Sequence, residues 1–228
     1  MYRCRSYFSK KPPAEELINI YRLLFAEFGT QNWWPADSKL EVIIGAILTQ
    51  AVSWKNVEKA IVALKEQGYI SVERLKNIKE TELAQLIKPA GYYNMKARKL
   101  KEFITFLSEK YENSLDKMFT VELSNLRKEL LGVYGIGPET ADSILLYAGE
   151  YPVFVVDNYT RRIFCRLGFV KKDIKYLKLQ SFIENNLVHN VNIYNEYHAL
   201  LVELAKNYCT KKEPDCQGCP LCKNNQKY

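Results

Sequence analysis

Apolar residues recur three and four positions apart over Leu17–Phe28, Val42–Thr49, Val57–Leu64, Leu100–Leu107 and Tyr197–Leu204, and each run predicts an amphipathic helix. Only Val153-Phe154-Val155-Val156 is strand-like, and it is too short to build a sheet. The pattern therefore predicts an all-α fold. No internal repeat, low-complexity tract or long linker interrupts it, and Lys223–Tyr228 reads as a frayed tail.

Between two of the apolar stripes lies a glycine-rich turn. Leu123, Leu126, Leu130 and Leu131 outline a short helix, and Ala141, Ile144, Leu145 and Ala148 outline another. Val133-Tyr134-Gly135-Ile136-Gly137-Pro138 joins them, so the segment reads helix, hairpin, helix. Gly135 and Gly137 let the backbone turn tightly and approach another molecule, and Pro138 suits the first position of the second helix. The amides at such a helix start form an anion site suited to a phosphate. Taken alone, the turn reads equally well as an ordinary connection between helices.

Charge tilts the balance. The 228-residue chain is 47% apolar, enough for one large or two small domains, and carries a net charge of +7. That excess suits a polyanionic partner such as DNA without establishing one. No apolar run approaches the ~18 residues of a membrane span. The first residues, Met1-Tyr2-Arg3-Cys4-Arg5-Ser6-Tyr7, lack the apolar stretch of a signal peptide. A cytoplasmic protein with no membrane partner is expected.

In that compartment six cysteines are not a disulfide framework. Four of them cluster as Cys209-x6-Cys216-x2-Cys219-x2-Cys222, a spacing that can enclose a metal centre, with Zn²⁺ and [4Fe–4S] as the chemical choices. Cys4 and Cys165 stand apart and read as buried or incidental thiols. Asp157 lies 18 residues beyond Glu139. By itself it reads as the N-cap of a helix carrying Ile163, Phe164 and Leu167. Two adjacent tryptophans, Trp33 and Trp34, cannot both face one side of a helix core, so at least one is expected at a surface or cleft.

Jointly the hairpin Val133–Ala141, the downstream Val155-Val156-Asp157, the early Leu48-Thr49-Gln50 and the terminal cysteines resemble the endonuclease III superfamily of helix-hairpin-helix DNA glycosylases, over roughly residues 15–222. The resemblance implies two helical domains with the helix-hairpin-helix at the interdomain cleft and a C-terminal four-cysteine metal loop. Residues 31–142 would be the central bundle, and 1–30 with 143–228 the second domain, including the loop at 209–222. It further implies that Asp157 is the catalytic carboxylate, stabilising the positive charge that builds on the sugar and orienting or deprotonating water.

Bifunctional members have a lysine where this hairpin has Glu139, and its amine forms a Schiff base with the sugar. A carboxylate cannot, so the resemblance implies a monofunctional enzyme without lyase activity. Trp33-Trp34-Pro35, Leu48-Thr49-Gln50, Pro89–Arg98 and Glu139–Leu145 are most similar to the 3-methyladenine DNA glycosylase branch. Carried over, Trp33, Trp34, Pro35 and Trp54 line the base pocket, with Lys206 near its floor. Gln50 fills the gap left by the flipped base. Lys96, Arg98, Lys99 and Lys101, with Gly135, Gly137, Glu139 and Thr140 of the hairpin, contact DNA.

The cysteine spacing departs from the family's x6, x2, x5, its last gap being x2. The implied cofactor is a [4Fe–4S] cluster of structural role, with zinc as the alternative. The implied partner is double-stranded DNA containing a damaged base, bound by a monomer. Competing readings are an endonuclease III-like glycosylase acting on oxidised pyrimidines or mismatches, a non-catalytic DNA-binding module, and an iron–sulfur electron carrier.

Overall fold

The computed structural model describes residues 13–223, and within them every regular element is helical. Cys4 and the tail beyond Lys223 lie outside the described residues. Backbone contacts divide the chain into two units, one of Met1–Trp33 with Pro152–Tyr228 and one of Trp34–Tyr151.

The continuous unit is built on α2 (Lys39–Leu48), which is buried from Leu40 through Leu48. A helix apolar all round belongs at the centre of its bundle, and α2 accordingly packs against α3 (Trp54–Glu66), α6 (Tyr93–Tyr111), α9 (Pro138–Ser143) and the π-helical turn Ile144–Ala148. Ser38 caps α2 by accepting a hydrogen bond from the Glu41 amide. The Glu41 carboxylate is itself buried and pairs with Lys65 Nζ at 2.7 Å. Between α3 and α6 run α4 (Val72–Asn77), α5 (Glu80–Leu86) and the 3₁₀ turn Lys88–Ala90. After α6 come α7 (Leu115–Met118) and α8 (Leu123–Gly132).

The other unit combines α1 (Pro13–Phe28) with α10 (Asn158–Leu167), α11 (Tyr176–Glu184), α12 (Val191–Asn207) and α13 (Pro220–Lys223). Helix α12 packs on α1 and α10, and α13 on α1. The strand-like run Val153–Val156 is buried without regular structure and forms no ladder. Side chains of α11 satisfy its backbone instead. Glu184 accepts from the Phe154 amide at 2.8 Å, Gln180 donates to the Phe154 carbonyl at 2.7 Å, and the Tyr176 hydroxyl accepts from the Val156 amide at 3.3 Å. These bonds fix the segment that delivers Asp157.

Candidate DNA-repair site

Helix α8 ends at Gly132, and the turn closes through Val133 N to Leu130 O and Ile136 N to Val133 O, both 3.1 Å. Gly135 takes φ +79°, and a Cβ there would meet the Lys99 side chain at 2.4 Å, so glycine serves both the turn and the close approach of Lys99. Gly137 is the N-cap of α9, Pro138 its first residue, and Gly137 faces open space. Glu139 is exposed in the first turn, where an acid suits the helix dipole. Tyr134 stands half exposed on the hairpin, with the Arg98 guanidinium 4.5 Å from its ring centroid.

Gln50 is tied to this hairpin. Its Nε2 donates to Gly135 O at 3.1 Å and to Thr140 Oγ1 at 2.9 Å, while its Oε1 accepts a hydrogen bond from Lys99 Nζ. Lys99 and Gln50 therefore act together as a brace on the turn.

Two lysines expected at the DNA backbone are corrected by the geometry. Lys96 is 2% exposed, and its Nζ donates to Leu48 O at 2.8 Å and Ala90 O at 2.7 Å. Burial, with Lys99 nearby, pushes its pKa down to about 8. It ties the end of α2 to the 3₁₀ turn. Lys101 Nζ likewise donates to Leu75 O, Lys76 O and Ile78 O at the end of α4. Sequence spacing carried the signal for Lys96, which continues the buried stripe of Leu100, Phe103 and Leu107.

Trp34, Trp54 and Tyr147 form an aromatic cluster, Trp34 lying edge-on to Trp54 at 5.0 Å and 5.3 Å from Tyr147. Both tryptophans are half-buried, and Pro35 is exposed. Gly45 of α2 makes room, since a Cβ there would sit 2.9 Å from the Trp34 ring. Trp33 is half-buried and falls in the other unit. In that unit Lys206 lies on the exposed side of α12, its Nζ donating to Glu203 at 2.9 Å.

Asp157 is the N-cap of α10, its Oδ1 accepting from the Thr160 amide at 2.7 Å. Capping occupies that oxygen alone, and Oδ2 stands 3.7 Å from Nε2 of buried His198 on α12. The side chain of Asp157 is 14% exposed. The cap reading and an acid available for chemistry are thus compatible on one carboxylate.

The far end of α10 meets the cysteine loop. Arg162 Nε donates to Cys209 O at 2.8 Å, and Arg166 Nη1 reaches Cys209 Sγ at 3.1 Å and Thr210 O at 2.7 Å. Neither arginine was singled out by the sequence, since nothing local marks a partner more than forty residues away. Cys209, Cys216 and Cys219 line a small, partly open recess with Ile163, Leu167 and Leu204. Burial pushes the Cys219 thiol up to about 11, and Cys209 and Cys216 add to the rise. Such thiols lose their protons to solvent when their sulfurs coordinate a metal. Among the described residues no three donors converge on a single ion. Cys222 is buried and does not line the recess, so three of the four expected ligands border one recess without converging on a point. Cys165 is a half-buried free thiol.

The family described as HhH-GPD superfamily base excision DNA repair protein matches residues 44–188. A Methanocaldococcus jannaschii protein named as an inferred DNA repair glycosylase is 46% identical over 93% of this chain and 96% of its own length. Endonuclease III of Sulfolobus acidocaldarius is 29% identical over 78% of each chain. Among solved structures, a 3-methyladenine DNA glycosylase of H. pylori bound to 1,N6-ethenoadenine superposes with a TM-score of 0.75 at 27% identity, covering 86% of this chain and 98% of that one.

Proposed function

Since the chain belongs to the HhH-GPD superfamily of base excision DNA repair proteins, we propose that it is a monofunctional DNA glycosylase that hydrolyses the N-glycosidic bond of alkylated purines such as 3-methyladenine. The observation that carries this reading is the carboxylate of Asp157, half engaged as a helix cap and presenting a second oxygen beside His198.

As the bond from C1′ to the base breaks, its electron pair leaves with the base and positive charge builds on the sugar. The Asp157 carboxylate stabilises that charge and accepts a proton from the water that adds to C1′. A purine alkylated at a ring nitrogen, as in 3-methyladenine, already carries positive charge in the nucleotide and leaves readily, so the demand on a general acid is small. Trp34 and Trp54 offer aromatic faces to a flipped base, with a cation–π contribution for a charged purine. Glu139, a carboxylate where an imine-forming lyase needs an amine, supports hydrolysis without strand cleavage.

Gly135, Gly137 and Thr140 of the hairpin, with Gln50 braced against them, engage double-stranded DNA, and Arg98, half exposed on α6, supplies the phosphate contact. Cys209, Cys216 and Cys219, spread around a recess, suit a [4Fe–4S] cluster, which takes one ligand per iron, better than a single zinc. Cys222, three residues beyond Cys219, would supply the fourth ligand. The cluster's contribution is a structural cross-link at the end of α10. The protein acts as a monomer in the cytoplasm.

The test is release of free base from methylated duplex DNA by wild type and Asp157→Asn, with liberated bases identified chromatographically. Wild type should free 3-methyladenine and the variant should not, while both bind DNA. If neither wild type nor variant frees a methylated base from well-bound DNA, the alkylpurine reading fails.

A further inference from the structure

We propose that His198 is the positioning residue for Asp157: its neutral imidazole holds the Oδ2 edge in place, and its protonation withdraws that edge from the sugar. The inference rests on the reading of Asp157 as the carboxylate that acts on the sugar.

The Thr160 amide anchors only Oδ1, which leaves the orientation of the carboxylate to whatever faces Oδ2. His198 Nε2 faces it at 3.7 Å. The ring is fixed from the other side, since α12 is buried from Tyr197 to Val202 and Phe154 packs edge-on to the imidazole at 6.5 Å. Phe154 belongs to the same buried segment that delivers Asp157, so histidine and aspartate are set by one piece of packing. A neutral imidazole offers an oriented dipole to the carboxylate. An imidazolium forms an ion pair, and a carboxylate so paired is a poorer partner for a cationic sugar.

The neighbouring charged groups have other partners. Tyr197 Oη donates to Leu17 O, Glu196 on α12 accepts from the Gln31 amide, and Glu184 on α11 accepts from the Phe154 amide. Asp157 presents its carboxylate to His198 Nε2. Burial lowers the histidine's pKa and Asp157 opposes that, so its protonation falls on the acid side of its ordinary range and the imidazole is neutral at pH 7 and above.

The experiment measures single-turnover base release and DNA affinity from pH 5 to 8 for wild type, Asp157→Asn, His198→Gln and His198→Phe. His198→Gln keeps an N–H donor but cannot ionise. It should retain most of the rate at pH 7.5 and lose less of it than wild type as the pH is lowered toward 5. His198→Phe keeps the ring volume without the donor, and should lose about 10-fold or more in rate with DNA affinity unchanged. Full activity in His198→Phe overturns the proposal. So does a rate loss common to both histidine variants with the wild-type pH profile intact, which marks packing alone. Base release by Asp157→Asn at the wild-type rate removes the underlying assignment instead, and the proposal falls with it.

Discussion

The guanidinium of Arg127, on the first helix of the hairpin, grips the carboxylate of Asp142, on the second, through Nε at 2.6 Å and Nη2 at 3.0 Å. Asp142 is completely buried and Arg127 is 20% exposed. A bidentate pair of this kind fixes the angle between the two helices as well as neutralising the buried charge. Arg127→Met leaves a carboxylate in the core without its guanidinium, and a cost of about 3–5 kcal/mol is expected. Equilibrium denaturation of wild type and variant measures it, and a difference under 1 kcal/mol would show that the pair is dispensable.

Lys96 gives a prediction with a defined sign. Its folded pKa, about 8, lies below the ordinary lysine value, so the unfolded chain binds the extra proton between about pH 8 and 10.5. Over that window this group makes the folded state more stable as pH rises, because the buried ammonium sheds its charge while its remaining N–H groups still reach Leu48 O and Ala90 O. Lys96→Met should flatten that slope. It should also cost about 1–3 kcal/mol at pH 7 by stranding two buried carbonyls, although part of that loss is offset by removal of the buried charge. The salt dependence of DNA binding separates the same residue from its neighbour. Arg98→Ala should reduce the slope by about one unit and Lys96→Met should leave it unchanged.

How far the sequence carried these features depends on where their partners lie. The spacing over Leu17–Phe28, Val42–Thr49 and Tyr197–Leu204 sits inside α1, α2 and α12, because each is an apolar stripe facing its own unit's core. The hairpin was legible because its geometry is local: a positive φ at Gly135 and a proline at the start of α9. Lys96 was misjudged by residue type, since a lysine in a basic run reads as solvated unless its place in the buried stripe is weighed more heavily. The supports of Asp157 were not legible at all. Gln180, Glu184 and His198 reach it or its segment from helices 26 to 41 residues onward, and no periodicity in the sequence links them.

On the proposed function, Glu139 is the residue that leaves the phosphodiester backbone intact after base removal. Lyase chemistry needs an amine that condenses with the sugar's aldehyde, and borohydride reduction turns that imine into a stable adduct. With a carboxylate in the first turn of α9, wild type should yield no protein–DNA adduct under reducing conditions and should leave abasic sites that nick only on later treatment with alkali. Glu139→Lys restores an amine at that position and should trap above the wild-type background. Efficient trapping by wild type itself would place the lyase amine elsewhere in the chain.

The cysteine loop bears on Asp157 through α10, because the helix that Asp157 caps is held at its other end by the bonds from Arg162 and Arg166 to Cys209 and Thr210. A group bound by Cys209, Cys216 and Cys219 would lock that end. Its loss should loosen the helix from the C-terminus without touching the hairpin or the aromatic cluster, which belong to the other unit. Protein purified without air should therefore contain about four irons and four acid-labile sulfides per chain if the recess holds a [4Fe–4S] cluster, and one zinc with no colour if it does not. Cys219→Ala should remove the metal, lower the thermal midpoint, and reduce base release more than DNA affinity. An unchanged base-release rate in metal-free protein that remains folded would show that α10 needs no such lock and that the arginine bonds alone hold it.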